Sequence, residues 1–393
     1  MQSLKQSPTD PAFVQDPYPF YDRLRAAGPV VVWEDYGLPV SARAAVVGQA
    51  LRDRRLGRAA PEGFGPKIPE RLRAFYDIED HSMLEIDGPR HARLRGLVLR
   101  AFTSRRIAGL APEIAALADR LIDALPEGPF DLIDSIAKPL PVIVIARLLG
   151  VPEERAPDLL GWSNAMVGMY QARRDTAMEE AACRAAEHFA AFLRAEISAK
   201  RRAPGDDLLS ALIAAEEDGQ RLSEPEMVAT AILLLNAGHE ATVHTLGNAV
   251  KAILTHGAQA ATAPDRIEDL VEEVLRFDPP LHLFTRWVQE DCNIGDTAFR
   301  RGDRIGCLLA AANRDPEGWD RPAAFLPERV RKPNLAFGIG PHFCIGAPLA
   351  RMELAVTLER IFARMPGLRI AEPPAYADLY HFHGLERLIL SRG

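Results

Sequence analysis

Two short segments carry residue types that could do chemistry. The first, FGIGPHFCIG at 337–346, places Cys344 after a glycine-rich turn and before a segment with helical spacing. The second, AGHEATVHT at 237–245, sets His239 and His244 within a long apolar run. A thiol at a helix N-terminus is stabilised as a thiolate by backbone N–H groups and serves as a nucleophile or a metal ligand. Paired histidines on one face of a helix bind zinc.

The second segment nearly spells the zinc motif HExxH, but its spacing is wrong. His239 and His244 are five residues apart, whereas the motif needs four. At about 100° per residue they point roughly 140° apart on a regular helix, so they cannot chelate one zinc ion. The alternative interpretation is that each is a core histidine with its own hydrogen-bond partner.

The cysteine segment lacks the features of two other kinds of site. A cysteine protease needs a histidine base beside the thiol, but His342 lies in a turn two residues from Cys344, where a neighbour normally points elsewhere. A dinucleotide-binding loop needs the third glycine of G-x-G-x-x-G, which the stretch GIGPHF lacks. No other signature in the chain supports either function.

Mostly helical elements must position these segments. Ser223 and Glu226 form a capping box, with Pro225 in the first turn, and Gly257 suits the C-terminal end. The predicted helix, about 224–256, would be roughly 48 Å long and would cross the protein. Its buried polar residues therefore need an explanation.

Other segments have weaker patterns. Apolar residues recur at helical spacing across 109–126 and 178–199. Residues 57–80 contain several glycines and prolines and are expected to form an irregular wall. The strand-like segments are short and lie at 28–35, 44–48 and 286–310.

Composition excludes several classes of protein. The 393 residues are 48% hydrophobic and 26% charged with a net charge of −7, which argues against nucleic-acid binding. The N-terminus MQSLKQSPTDPAF is polar, and no apolar run reaches membrane length, so neither a signal peptide nor a membrane anchor is expected. The four cysteines fit neither a zinc ribbon nor a disulfide framework. These features favour a cytoplasmic protein.

The pattern F-G-x-G-x-H-x-C-x-G at 337–346 resembles the haem-binding loop of the cytochrome P450 family at every position. Glu273 and Arg276 resemble the E-x-x-R motif of that family, and Arg329 in FLPER matches the third member of this buried charge cluster. Similar segments also occur at 311–316 and 16–30, so the resemblance covers essentially the whole chain. It implies a single mainly α domain over 1–393 with small β-sheets and a long central helix crossing the haem.

The resemblance implies that the chain binds haem b, with Cys344 as the axial thiolate ligand of the iron. Phe337 would pack beside the sulfur, and the cationic ends of four side chains would hold the two propionates. His91 and Arg95 stand four residues apart in HARLR and share one helix face. The complete set of expected haem contacts is His91, Arg95, Arg286, Phe337, His342, Cys344 and Gly346.

The central helix resembles the oxygen-handling segment A-G-x-[DE]-T-[TS] of the family. Glu240 would relay protons, because an acid with access to water can deliver them during oxygen activation. The family usually has threonine where this chain has Ala241, and Thr242 comes one residue late. Helix geometry predicts that Ala237 and Ala241 face the haem while Thr242 lies on the flank, so we expect ordered water or the substrate to supply the missing hydroxyl.

The activity implied is that of a haem-thiolate monooxygenase, which inserts one atom of O2 into a hydrophobic organic substrate by hydroxylation or oxidative dealkylation. Because the chain has no flavin or nicotinamide fingerprint, electrons from NAD(P)H would arrive through a reductase and a ferredoxin. An acidic ferredoxin would dock on the cysteine side of the haem, near Arg100, Arg105 and Arg106, on a monomeric protein.

Two alternatives stay open. One is a haem-thiolate peroxygenase, and the other is a non-catalytic haem protein that binds or senses a ligand. The substrate pocket expected from the resemblance is mostly apolar and aromatic. Its residues are Phe64, Phe75, Met83, Met166, Met169, Leu233, Ala237, His282, Leu283, Phe284, Tyr380 and Phe382.

Overall fold

Helices dominate the computed structural model, which describes residues 1–171, 173–215, 219–380 and 382–393. The prediction of a mainly α fold with small β-sheets is confirmed. Short 3₁₀ turns and one π-helical turn, Ile133–Ala137, join several helices. The α-helices are α1 (Pro11–Gln15), α2 (Tyr18–Ala27), α3 (Ala44–Arg52), α4 (Arg73–Glu79), α5 (Gly88–Ala101), α6 (Ser104–Ala108), α7 (Ala111–Asp123), α8 (Pro139–Leu149), α9 (Ala156–Val167), α10 (Thr176–Arg202), α11 (Leu208–Ala214), α12 (Glu224–Thr255), α13 (Ile267–Phe277), α14 (Leu309–Ala312) and α15 (Ala347–Arg364).

The strands are short and form small sheets. The largest sheet has the order β1-β2-β3-β9-β6-β4, in which β6 and β9 pair antiparallel from Leu283–Leu308 to Trp287–Arg304. A three-stranded sheet has the order β10-β13-β5, and two hairpins pair β7 with β8 and β11 with β12. The strands are β1 (Ser3–Leu4), β2 (Val31–Trp33), β3 (Leu38–Ser41), β4 (Leu56–Gly57), β5 (Phe130–Asp131), β6 (Leu283–Val288), β7 (Cys292–Ile294), β8 (Thr297–Phe299), β9 (Arg304–Leu308), β10 (Arg369–Ile370), β11 (Ala375–Tyr376), β12 (Leu385–Arg387) and β13 (Ile389–Ser391).

Helix α12 is the long central helix, and its bounds lie within one residue of those predicted. The Ser223 side chain accepts the N–H of Glu226, and the Glu226 carboxylate accepts the N–H of Ser223, which completes the capping box. The helix ends at Thr255, and Gly257 follows with a φ of +65°. This conformation suits glycine and stops the helix.

The hydrophobic core changes partners along α12. Residues from Met227 to Leu235 pack into a cluster with α5, α8, α9 and α10. Residues from Val243 to Ile253 pack into a second cluster with α13 and α15. Between these two stretches, Ala237 and Ala241 are not fully buried, because their side of the helix faces a cavity.

Two local predictions are wrong. Residues 44–48 belong to helix α3 and not to a strand, because buried Val46, Val47, Ala50 and Leu51 continue the apolar pattern at helical spacing beyond that short window. The expected irregular wall at 57–80 ends in helix α4, whose buried residues include Phe75, Ile78 and Glu79. In the part of the chain that the structure describes, no helix has both the length and the apolar character needed to span a membrane.

Candidate active site

A cavity of about 2150 Å³ lies between α12 and the cysteine loop. The walls come from α5, the middle of α12 and strand β6. The segment 336–354 and residues 378–380 and 382 also contribute. Apolar and aromatic side chains supply most of this lining, and charged and polar side chains supply the rest. The two chemistry-bearing segments of the sequence therefore face each other across one space.

Backbone geometry fixes the cysteine loop. Gly338 and Gly340 have φ values of +66° and +83°, and a Cβ at Gly340 would lie 2.4 Å from the backbone oxygen of Leu51. Glycine is therefore required at this close approach. The Cys344 N–H donates to the Phe337 carbonyl at 3.1 Å, and helix α15 begins three residues later with Pro348 in its first turn.

The Cys344 thiol lies at this helix N-terminus, but its proton is not easily lost. Burial raises the pKa of the thiol, and the N–H groups of Gly346 and Ala347, together with Arg95 and Arg351, oppose the rise only in part. The two backbone N–H groups lower the pKa of the thiol, as expected at a helix N-terminus, but burial outweighs them. A bound metal cation deprotonates a coordinating thiol outright, so this donor fits a metal ligand better than a free nucleophile.

Arg286 is a buried cation on the cavity lining that forms no ion pair with the described residues. Arg286 is 3% exposed, and its only hydrogen bond among the described residues goes to the Thr285 carbonyl. Burial and the nearby Arg58 lower the pKa of Arg286 to about 10. A buried guanidinium in this state favours an anionic ligand, because an unpaired buried charge is costly.

The other expected propionate contacts lie on the same lining. Burial, His342 and Arg95 together lower the pKa of His91 to about 4. The His91 and His342 rings lie 4.2 Å apart, and the His342 Nε2 lies 2.8 Å from the Asp87 Oδ1. Arg95 donates to the Phe343 carbonyl at 2.7 Å. The residues present fit a haem: Cys344 would bind its iron, and His91, Arg95, Arg286 and His342 would hold its two carboxylates.

The α12 wall of the cavity is formed by Ala237, Gly238, Ala241, Thr242 and Thr245. The helix is regular throughout this stretch. The Thr242 hydroxyl donates to the Gly238 carbonyl at 3.3 Å, and the Thr245 hydroxyl donates to the Ala241 carbonyl at 2.6 Å. Both hydroxyl protons are thus used inside the helix, and Ala241 presents only a methyl group.

Glu240 is absent from the cavity lining. Its carboxylate points between two histidines, 3.3 Å from the His239 Nε2 and 3.8 Å from the His244 Nε2. Burial would raise the pKa of Glu240, but the two histidines outweigh it and hold the pKa well below its usual range. The carboxylate is therefore ionised and held on the far side of α12.

The two histidines of the near-zinc motif are separate core residues. The His239 Nδ1 lies 2.8 Å from the Leu235 carbonyl, and its Nε2 lies 3.4 Å from the Asn164 Oδ1. The His244 ring stacks on Phe382 and packs so closely on Gly384 that a Cβ there would lie 1.8 Å from the His244 Nδ1.

Most of the expected substrate-pocket residues line the cavity, but three do not. Phe64 is 45% exposed and lies under the Arg301 guanidinium at the surface. Met166 is completely buried in the helical core, and His282 is completely buried with its Nδ1 2.8 Å from the Tyr21 hydroxyl. The expected residues that do line the cavity are Phe75, Met83, Met169, Leu233, Ala237, Leu283, Phe284, Tyr380 and Phe382.

The cavity also has polar lining residues that the sequence did not reveal. Among them are Arg58, Glu79, Glu85, Tyr170 and Arg174. One signal was present: Glu79 stands four residues after Phe75 and so occupies the apolar face of α4, where a charged residue is unusual. The position of Arg58, just beyond strand β4, has no comparable pattern.

The E-x-x-R residues lie away from the cavity and join several segments. Arg276, 1% exposed, donates to both carboxylate oxygens of Glu273 at 2.7 Å. Arg329 donates to Glu273 at 3.1 Å. Arg276 also donates to the carbonyls of Asn313, Pro322 and Ala324, which fixes the chain between β9 and the cysteine loop.

Comparison with known proteins gives the family of this chain. The sequence profile described as Cytochrome P450 matches residues 267–365. Cytochrome P450 107B1 of Saccharopolyspora erythraea is 39% identical over 380 residues, which cover 93% of this chain and 91% of that protein. Cytochrome P450 monooxygenase PikC of Streptomyces venezuelae is also 39% identical over 380 residues, which cover 92% of this chain and 87% of that protein.

Solved structures agree with this result. The crystal structure of P450BioI in complex with an acyl carrier protein ligated to hexadec-9Z-enoic acid superposes with a TM-score of 0.91 at 31% identity, covering 97% of this chain and 100% of that one. The fold, the cysteine loop and the 39% identity to these relatives over almost the whole chain lead to one conclusion. The chain belongs to the cytochrome P450 family and is a haem-thiolate monooxygenase that uses haem b and O2 and receives electrons from NAD(P)H through redox partners.

Proposed function

We propose that this P450 acts on a hydrophobic organic molecule by hydroxylation or oxidative dealkylation. The observation that carries the proposal is the apolar wall of the cavity between Cys344 and α12. It is formed by side chains such as Phe75, Met83, Leu233, Leu283 and Phe284. Pockets of this kind bind apolar molecules and use a few polar groups to orient them.

In this proposal Cys344 is the iron ligand, and Phe337 and Gly346 lie beside it. His91, Arg95, Arg286 and His342 hold the propionates through charge-assisted hydrogen bonds. The haem supplies activation of O2 and transfer of one oxygen atom to the substrate. The protein residues bind and orient both molecules and keep bulk water away from them.

Proton delivery is assigned to Glu240, with Ala241 and Thr242 on the helix beside it. Because the carboxylate points between His239 and His244, it must turn around α12 or work through water to move a proton towards the cavity. The Thr242 hydroxyl proton is donated inside the helix, which supports ordered water or the substrate as the source of the missing hydroxyl.

A pair of variants tests this assignment. Thr242→Ala should stay coupled, with product formed per NADH consumed within about twofold of the parent enzyme. Ala241→Thr, which adds a hydroxyl at the position facing the cavity, should change that ratio because it alters the proton source. Strong uncoupling with peroxide release in Thr242→Ala alone would show that the late threonine has taken over the relay.

Electron transfer is assigned to the cysteine side of the haem. Leu99 and Phe343 are exposed there, and Arg105 adds positive charge beside them, which suits an acidic ferredoxin. Arg100 lies next to Leu99, whereas Arg106 is paired with Asp206 at 3.2 Å. We further propose a monomer formed as one domain over 1–393. We place it in the cytoplasm, where NAD(P)H is available and the four unpaired cysteines stay reduced.

The proposed reaction is tested in two steps. A compound library is screened for substances that convert the ferric haem from low to high spin, and each binder is then incubated with a surrogate ferredoxin, its reductase, NADH and isotopically labelled O2. A product carrying one labelled oxygen atom is expected. Turnover on H2O2 but not with the electron-transfer system would indicate a peroxygenase, and binding without any product would indicate a sensor.

A further inference from the structure

The cavity contains a buried carboxyl group for which the assigned chemistry has no use. Glu79 is the last residue of α4, is 8% exposed and lines the cavity. The Tyr170 hydroxyl, which also lines the cavity, donates to the Glu79 Oε2 at 3.0 Å. This hydrogen bond orients the carboxyl group within a mostly apolar wall.

No cation pairs with Glu79 among the described residues, since none of their Lys, Arg or His nitrogens lies within 4.0 Å of its oxygens. Arg58 is the nearest candidate, but its guanidinium binds Glu85 and the Leu84 carbonyl. The Arg174 guanidinium, also on the lining, binds Glu179 and the Met169 carbonyl. The local cations are thus committed to other acceptors.

The surrounding charges favour a cation at this point. Asp80 and Glu85 add negative charge close to Glu79, against the single positive charge of Arg58. On α10, which packs against α4, Glu179 is neutralised by Arg71 and Arg174. The segment of α12 that passes nearby, 227–238, contains no Asp, Glu, Lys, Arg or His.

A carboxylate buried without a partner is costly, and a ligand that brings the missing charge relieves that cost. We propose that Glu79 is the anchor for a cationic amine nitrogen on an otherwise hydrophobic ligand of the cavity, with Tyr170 positioning its carboxylate. This inference rests on the proposed function, because it takes the cavity to be the substrate site. It narrows the substrate class to amine-bearing apolar molecules.

The anchor has a defined proton balance. Burial and the charge of Glu85 raise the pKa of Glu79 to about 8, against the opposing effects of Tyr170 and Arg58. Below that pH the free protein holds a proton on Glu79, and pairing with a cation releases it to solvent. The affinity for a permanent cation should therefore rise about tenfold per pH unit up to about pH 8 and then level off.

The test measures binding to the ferric holoenzyme by calorimetry. The probe is (4-phenylbutyl)trimethylammonium, a permanent cation that cannot ligate the iron, and its comparison is the neutral isostere in which carbon replaces nitrogen. The parent protein should bind the cation at least about tenfold more tightly than the isostere near pH 9. Glu79→Gln should remove this preference and the pH dependence while leaving the isostere affinity unchanged.

Two further variants separate the anchor from general electrostatics. Asp77→Asn removes the same charge from the exposed side of α4, where the Asp77 side chain is 59% exposed and pairs with Arg73 at 3.0 Å, and should keep the preference. Tyr170→Phe removes a donor that stabilises the carboxylate, so the pH at which affinity levels off should move upwards. Equal affinities for cation and isostere in the parent, or a preference that survives Glu79→Gln, would overturn the anchor.

A stability measurement gives an independent readout. The raised pKa of Glu79 means that its contribution to stability is fully present below the normal glutamate pKa and is lost as the pH rises through about 8. As the pH rises from the normal glutamate pKa to about 8, Glu79→Gln should therefore lose less thermal stability than the parent. Neither measurement needs turnover, so a protein that binds the cation but forms no product would refute the proposed function and leave the anchor intact.

Discussion

Cys344→Ser should abolish the thiolate signature of the reduced carbon monoxide complex, whatever haem remains bound. A serine hydroxyl does not deliver the electron density of a thiolate to the iron. No other cysteine lies on the cavity lining to replace it. Absorption spectra of the reduced protein with carbon monoxide measure the result directly, because the long-wavelength Soret band requires the thiolate.

A matched variant controls for general damage. Cys183 is buried on α10, with its sulfur 3.4 Å from the Arg71 carbonyl, so Cys183→Ser should keep the long-wavelength band. Burial raises the pKa of Cys307 to about 11, and this thiol is completely enclosed in β9. A Cys344→Ser protein that kept the band would point to another cysteine and refute the assignment.

Glu273→Ala should leave little soluble holoprotein. Arg276 is 1% exposed, and without this carboxylate its guanidinium keeps only backbone carbonyls as acceptors. The Leu326 N–H, which donates to the Glu273 Oε1 at 2.7 Å, also loses its acceptor. Breaking a buried ion pair on one side costs about 3–5 kcal/mol, a large part of the stability of most proteins. Haem content and thermal midpoint are the measurements.

Glu268 on the same helix provides the control. Its side chain is 72% exposed and pairs with Arg331 at 3.0 Å, so Glu268→Ala should cost about 0–1 kcal/mol. If the two alanine variants had the same midpoint and haem content, Glu273 would be acting as a surface residue, and the buried cluster would not stabilise the fold.

Local signals accounted for the parts of the structure that could be predicted from the sequence. The capping box and the glycine after Thr255 marked the bounds of α12, and the glycine spacing around Cys344 marked a loop that tolerates few other sequences. These features depend on neighbours in the chain. Helix periodicity also placed Ala237 and Ala241 on the face that meets the cavity.

The errors concern properties that distant segments decide. The direction of Glu240 depends on His239 and His244, whose rings are in turn placed by contacts with Asn164 and Phe382. His282 is turned away from the cavity by its contact with Tyr21, more than two hundred residues earlier in the chain. Periodicity indicates that a residue is buried, but it does not distinguish a core position from a cavity wall.

The close contact between Gly384 and the His244 ring links two positions that are far apart in sequence. Any side chain at 384 must displace the ring, and the ring is one of the two that hold the Glu240 carboxylate. Substitutions at 244 and 384 should therefore be epistatic, with a combined effect that differs from the sum of the single effects. The mutational tolerance of the central helix α12 is thus set partly by Gly384, more than one hundred residues later in the chain.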